Sequence, residues 1–168
     1  IDYLPDNIFV SPGTKAPNRM GFSKYASYIN TISEQKYGRP LILAMSADLS
    51  DSTNISGFAK GYGGARDKGF YEKKSNTKSP LFPQGITEFT NAGMMAGAVT
   101  VNFSAKPYES FSGFYGAVST YGSFSYLKYG PLRLFSQLAQ DSELKVGKII
   151  WVVGHSGPET AEDSRTHY

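Results

Sequence analysis

Between Asn18 and Tyr37 the apolar residues Phe22, Tyr25, Ala26, Ile29 and Ile32 return at spacings of three and four. That rhythm marks one face of an α-helix. Asn18 can serve as its N-cap, and Gly38-Arg39-Pro40 ends it. The rhythm then gives way to an unbroken apolar run, Leu41-Ile42-Leu43-Ala44-Met45. A short run without alternation reads as a strand buried on both faces. Gly85-Ile86-Thr87-Glu88 leads into a second helical stretch, Phe89 to Val99, whose small residues Gly93, Ala96, Gly97 and Thr100 line one side. This stripe predicts close packing on a sheet, since the apolar run is too short for a membrane helix. Leu132, Leu134, Phe135 and Leu138 predict a third helix, and Ile149-Ile150-Trp151-Val152-Val153 a second buried strand.

Polar segments separate these elements. Residues 1–17 are rich in Pro and Gly and read as an arm or linker, with the domain proper at 18–168. Residues 51–84 read as a long loop, and such loops are functional or mobile in compact domains. Phe111 to Tyr129 is an aromatic, Gly-rich stretch. Strands alternating with helices predict an α/β fold, an open and mainly parallel sheet with helices on both faces. Ligands of such sheets bind at the carboxyl ends of the strands. Asp48, Glu88 and His155 all lie at the trailing ends of predicted strands or the starts of helices, so three segments converge on one crevice.

Composition narrows the class. The chain has 168 residues, enough for one domain with a substantial core. It has no cysteine, which excludes a disulfide framework and a thiolate zinc site and suits a reducing compartment. A cytoplasmic protein is expected, with neither a secretory leader nor a membrane helix. The net charge of +3 comes from one loop: six basic residues against three acids between Ser50 and Pro80. One basic loop is not the broad patch that nucleic acid requires. Gly61-Tyr62-Gly63-Gly64 misses both the dinucleotide and the P-loop fingerprints. The chain begins without methionine and stops just after His167, so a fragment incomplete at its C-terminus is expected.

The densest chemistry lies at that end. His155 to His167 holds both histidines, together with Glu159, Glu162, Asp163 and Arg165. Imidazoles there can donate, accept and shuttle protons near neutral pH.

Four segments, in order, resemble the transketolase family, in particular the central, pyrimidine-binding domain of these thiamine-diphosphate enzymes. Ser46-Ala47-Asp48-Leu49-Ser50-Asp51-Ser52 is similar to the family's S-A-D-L-T-P-S, and Gly85-Ile86-Thr87-Glu88-Phe89 to its G-I-R-E-H. Thr120-Tyr121-Gly122-Ser123-Phe124 is similar to its T-F-x-x-F. His155 to His167 is similar to H-D-S-I-G-x-G-E-D-G-P-T-H, with His155, Glu162, Asp163, Thr166 and His167 identical. Together the segments span residues 46–167.

The resemblance implies roles. Glu88 would hydrogen-bond the ring nitrogen of the coenzyme's aminopyrimidine, a task that needs a carboxyl kept in an apolar, water-poor place. Tyr121 and Phe124 would pack that flat ring, while a third aromatic position falls on Leu127, which cannot stack. Asp48 would lie near the coenzyme. Ser52 and Arg19 would contact a substrate phosphate. His155, Asp163 and His167 would hold the hydroxyls and carbonyl of a sugar, with both histidines also in catalysis.

The departures from the pattern concern the substrate. Thr87 stands for the family's arginine, Phe89 for its histidine, and Ser164-Arg165 for Gly-Pro. The chain contains no Gly-Asp pair, so the family's G-D-G…N diphosphate motif is absent. By resemblance, then, the chain binds only the pyrimidine end of thiamine diphosphate. Mg²⁺ or Ca²⁺ would sit on a partner domain of the same or a second subunit. A homo-oligomer acting on sugar phosphates is expected, moving a two-carbon ketol unit and inactive without its partner domain. Two alternatives stay open: a β-type subunit of a 2-oxoacid dehydrogenase or another thiamine enzyme, and a non-catalytic interaction domain.

Overall fold

The computed structural model describes residues 3–63, 69–101, 110–141 and 147–154. Among these residues, four parallel strands form one sheet in the order β2-β1-β3-β4. They are β1 (Ile42–Ser46), β2 (Leu81–Phe82), β3 (Tyr115–Tyr121) and β4 (Ile149–Gly154). The helices are α1 (Asn18–Tyr37), α2 (Glu88–Thr100) and α3 (Tyr129–Asp141). Three 3-10 helices join them: η1 (Asp6–Ile8), η2 (Ile55–Ala59) and η3 (Gly122–Lys128).

Alternation along the strands divides the core into two layers. Ile42, Ala44 and Ala117 meet Ala26 and Ile29 of α1 and Ile55 and Phe58 of η2. Leu43, Met45 and Val118 meet Met95 and Val99 of α2, with Leu132 and Phe135 of α3 against them. Helices therefore cover both faces of an all-parallel sheet, as the sequence predicts. β1 is buried along its whole length because it has strands on both sides and a layer on each face. No helix among the described residues is long and apolar enough to cross a membrane.

Several expectations need correction. Pro17, not Asn18, holds the N-cap position of α1, in extended conformation at φ −69° and ψ 143°. Asn18 is already helical. The C-terminal stop is as read: Gly38 adopts φ 69° and its N–H donates to Glu34 O at 2.9 Å. Residues 51–84 are not one long loop. They contribute η2 to the core, with Phe58 fully buried and edge-on to Phe22 at 5.1 Å, and they supply β2. Neither element is long enough to show a period.

The small-residue stripe of α2 does not pack on the sheet. Gly93 and Gly97 are exposed, and a Cβ at either would meet nothing within 4 Å. The sheet-facing side is instead Ala92, Met95 and Val99, buried along with Glu88 and Asn91. The close approach belongs to β3: a Cβ on Gly116 would stand 2.3 Å from Met95 Sδ. β4, expected to be buried on both faces, is an edge strand among the described residues, with Ile150, Trp151 and Val153 exposed.

One polar side chain ties the first layer together. Asn30 is fully buried, and its Oδ1 accepts from Leu41 N at 3.0 Å and Ile42 N at 2.7 Å. Its Nδ2 donates to Ile42 O at 3.0 Å and Phe58 O at 3.4 Å. A single amide thus satisfies the entry of β1 and anchors α1 and η2 to it.

Candidate functional site

Because all four strands are parallel, Ser46, Phe82, Tyr121 and Gly154 end at one edge of the sheet. α2 starts at that edge with Glu88, whose place in the first turn also suits the helix dipole. Glu88 is only 5 % exposed. Thr120, on the α2 face of β3, donates its hydroxyl to Glu88 Oε1 at 2.8 Å. One turn along α2 lies Asn91, also buried. Its Oδ1 accepts from Thr87 Oγ1 at 3.2 Å, while its Nδ2 is buried without a partner. A buried amide donor left unsatisfied is costly in an ordinary core.

A third polar group enters from η3. Lys128 is 1 % exposed, and its Nζ donates to Val118 O at 3.1 Å. The ammonium lies 5.5 Å from the centroid of the Trp151 ring, on the strand residue paired with Val118. Burial pushes the Lys128 amine down to about 8, and the nearby Glu88 carboxylate opposes that shift. Sequence reasoning missed Lys128. Its one signal was a lone cation in the aromatic run Phe124-Ser125-Tyr126-Leu127-Lys128-Tyr129.

The other side of the edge holds hydroxyls. Tyr121 is buried and its phenol donates to Ser52 Oγ at 2.9 Å. Thr53 Oγ1 lies 2.6 Å from Leu49 O and 2.8 Å from Ser119 Oγ. The end of β4 closes on the same residues, since a Cβ on Gly154 would meet Tyr121 at 3.3 Å and Thr53 at 3.4 Å. Ser52, Tyr121 and the last described residue before His155 are thereby brought together.

Asp48 lies two residues beyond the end of β1 and is exposed, at φ 62°. Left-handed backbone at a non-glycine residue stores strain and is enriched at ligand sites, although aspartate tolerates it better than most residues. Phe124 is half-buried in η3, and Leu127 is exposed. Arg19 sits in the first turn of α1, on the layer opposite α2, with Nε buried and unpartnered. The structure does not bring it to Glu88. His155, Asp163 and His167 lie outside the described residues.

The described residues contain no cluster of three or more His, Asp or Glu side chains suited to a metal ion. What the edge does offer is a buried carboxyl, a hydroxyl donor on it, an unused amide donor and a buried ammonium. Such a set can grip a nitrogen heterocycle and exchange a proton with it. No family model, no curated protein and no solved structure matches this chain.

Proposed function

We propose that the chain is the pyrimidine-binding half-site of a thiamine-diphosphate enzyme of the transketolase type. It would transfer a two-carbon ketol unit between sugar phosphates together with a diphosphate-binding domain of the same or a second subunit. The observation that carries this reading is Glu88: the acid singled out by Gly85-Ile86-Thr87-Glu88 is buried on the carboxyl edge of the sheet and hydrogen-bonded by Thr120. Thr120 opens the segment Thr120-Tyr121-Gly122-Ser123-Phe124, and Tyr121 of that segment bonds Ser52 of another. Three segments far apart in sequence thus touch, as one binding crevice requires.

The side chains fit an aminopyrimidine. Its ring nitrogens and amino group need both an acceptor and donors, and Glu88 together with the orphaned Asn91 Nδ2 supplies them. When bound, the coenzyme supplies an electron sink for carbon–carbon bond making and breaking at a carbonyl. Glu88 would hold a proton at a ring nitrogen, with Thr120 fixing the carboxyl. Tyr121 and Phe124 would wall the ring and keep water from it, with Asp48 nearby. Ser52 is the nearer candidate for a substrate phosphate, Arg19 the more remote. His155, Asp163 and His167 would bind sugar oxygens, and Mg²⁺ would belong to the partner domain.

The test is ketol transfer by the chain joined with a diphosphate-binding domain, thiamine diphosphate and Mg²⁺. Glu88→Gln is expected to lower the rate by roughly 10²–10⁴-fold, the scale of a lost acid–base group. An unchanged rate would sink the assignment. Decarboxylation of pyruvate by the same mixture would favour the 2-oxoacid dehydrogenase reading instead. One observation favours a non-catalytic interaction domain: a groove between α2 and α3 exposes Phe89, Leu134 and Leu138 beside open Gly93 and Gly97. Calorimetry with thiamine diphosphate and Mg²⁺ separates that reading, which requires no heat of binding with any partner domain.

A further inference from the structure

On the α1 side of the sheet, across from the layer that holds Glu88, the N-terminal arm and η2 flank α1 around a cavity of about 450 Å³. Small-molecule sites span about 300–1,000 Å³. η1 supplies one wall through Asn7, and the opposite wall is Gly57 of η2 with Lys60 just beyond it. Lys24 of α1 also lines the cavity, and its Nζ donates to Phe9 O at 3.4 Å, fastening the arm to the helix.

The lining follows a chemical pattern. Ser23, Ser27 and Thr31 recur every four residues along α1, so their side chains share one stripe of the helix. Thr31 donates its hydroxyl proton to Ser27 O at 2.9 Å. Ser23 is 9 % exposed and stands against Gly57, where any Cβ would overlap its Oγ. A glycine at that point of η2 leaves the hydroxyl its room. Lys24 and Lys60 are the charged groups of the lining, and no acid joins them among the described residues. Asp6, on the arm, accepts from Tyr3 at 3.4 Å and does not line the cavity. The single hydrogen bond of Lys24 leaves two of its three ammonium donors for a ligand.

We propose that this cavity binds a phosphate monoester of a small polar molecule, with Lys24 and Lys60 on the phosphate and Ser23, Ser27 and Asn7 on the rest. Two ammonium groups without a counter-charge match a dianion, and lysine holds phosphate as a point charge. The cavity is larger than one ion needs, and its hydroxyl stripe suits a polar body attached to that ion. Neither Ser52 nor Arg19 lines it, and it requires nothing of the coenzyme reading.

The test is a nitrogen–proton correlation NMR titration of the whole chain at constant ionic strength and about pH 7.5, where a phosphate monoester is mostly a dianion. The probes are glycerol 3-phosphate, inorganic phosphate and acetate. Glycerol 3-phosphate should shift the amides of Ser23, Ser27, Gly57 and Lys60 saturably, and more tightly than either other probe. Lys24→Gln and Lys60→Gln should each weaken it about tenfold, the scale of one charge-assisted hydrogen bond. Lys60 is exposed, so its replacement leaves the core untouched and keeps the test decisive should Lys24→Gln loosen the arm. Lys36→Gln, at the far end of α1 and outside the cavity, should change nothing. No saturable shift at those four amides overturns the proposal. So does equal weakening by Lys36→Gln, which would mark a general charge effect, or binding of inorganic phosphate or acetate as tight as that of the ester.

Discussion

At the scale of single residues, the buried lysine makes a distinctive demand on pH. An amine whose folded value is lowered to about 8 from 10.5 opposes folding once protonated. As pH falls from about 10.5, the unfolded chain takes up its proton first, so stability is lost on the way down to pH 8 and is level below it. Stability should therefore rise by about 2–3 kcal/mol between pH 8 and 10. Lys128→Met should flatten that rise and be the more stable protein at neutral pH. Denaturant melts at half-unit pH intervals check both. Above pH 10 the Tyr62 phenol, pushed up to about 12 by burial and by Glu34, acts in the opposite direction. The folded state keeps that proton while the unfolded chain loses it, so the rise should stop there. None of this was legible in the sequence, where Lys128 is one cation among 17 basic residues. Glu88 was singled out because its neighbours form a pattern, whereas Lys128 has none.

At the scale of elements, the most exacting junction is where α1 meets β1 and η2. Asn30 makes four hydrogen bonds there, three of them to the backbone of Leu41 and Ile42. Asn30→Leu should cost about 2–4 kcal/mol, because two backbone N–H groups lose their acceptor in a dry place. Asn30→Asp should cost less, since it keeps the acceptor for both N–H groups. Equilibrium urea melts of the two variants decide whether the acceptor dominates. α1 and β1 were readable from the sequence for opposite reasons: α1 has one buried face, and β1 is buried on both. β3 was not readable. Gly116, Ser119 and Thr120 interrupt its apolar pattern, yet all lie in the interior. Each is there for a partner from a distant segment: Met95 for Gly116, Thr53 for Ser119, Glu88 for Thr120.

For the whole molecule, the order β2-β1-β3-β4 makes β1 and β3 the inner strands. Native-state hydrogen exchange should find their amides the most protected, and those of β4 exchanging by a lower-energy local opening. Equal protection across β3 and β4 would mean that a further strand or a second chain covers the β4 edge. The same topology explains why the sequence misjudged β4. An apolar run reports that a segment prefers to leave water, not what is available to cover it. The exposed Ile150, Trp151 and Val153 carry that preference uncovered among the described residues.

The chain's own order of residues determined the alternation of helices and strands, a parallel sheet, and an acid at the head of the second helix. These follow from local rules of periodicity, capping and crossover length. Only the tertiary structure decided which strands lie inside, that η2 enters the core, and that Lys128 is buried against the Val118 carbonyl. Strand order and charge proximity depend on contacts between residues tens of positions apart, and no local pattern encodes a distance in space.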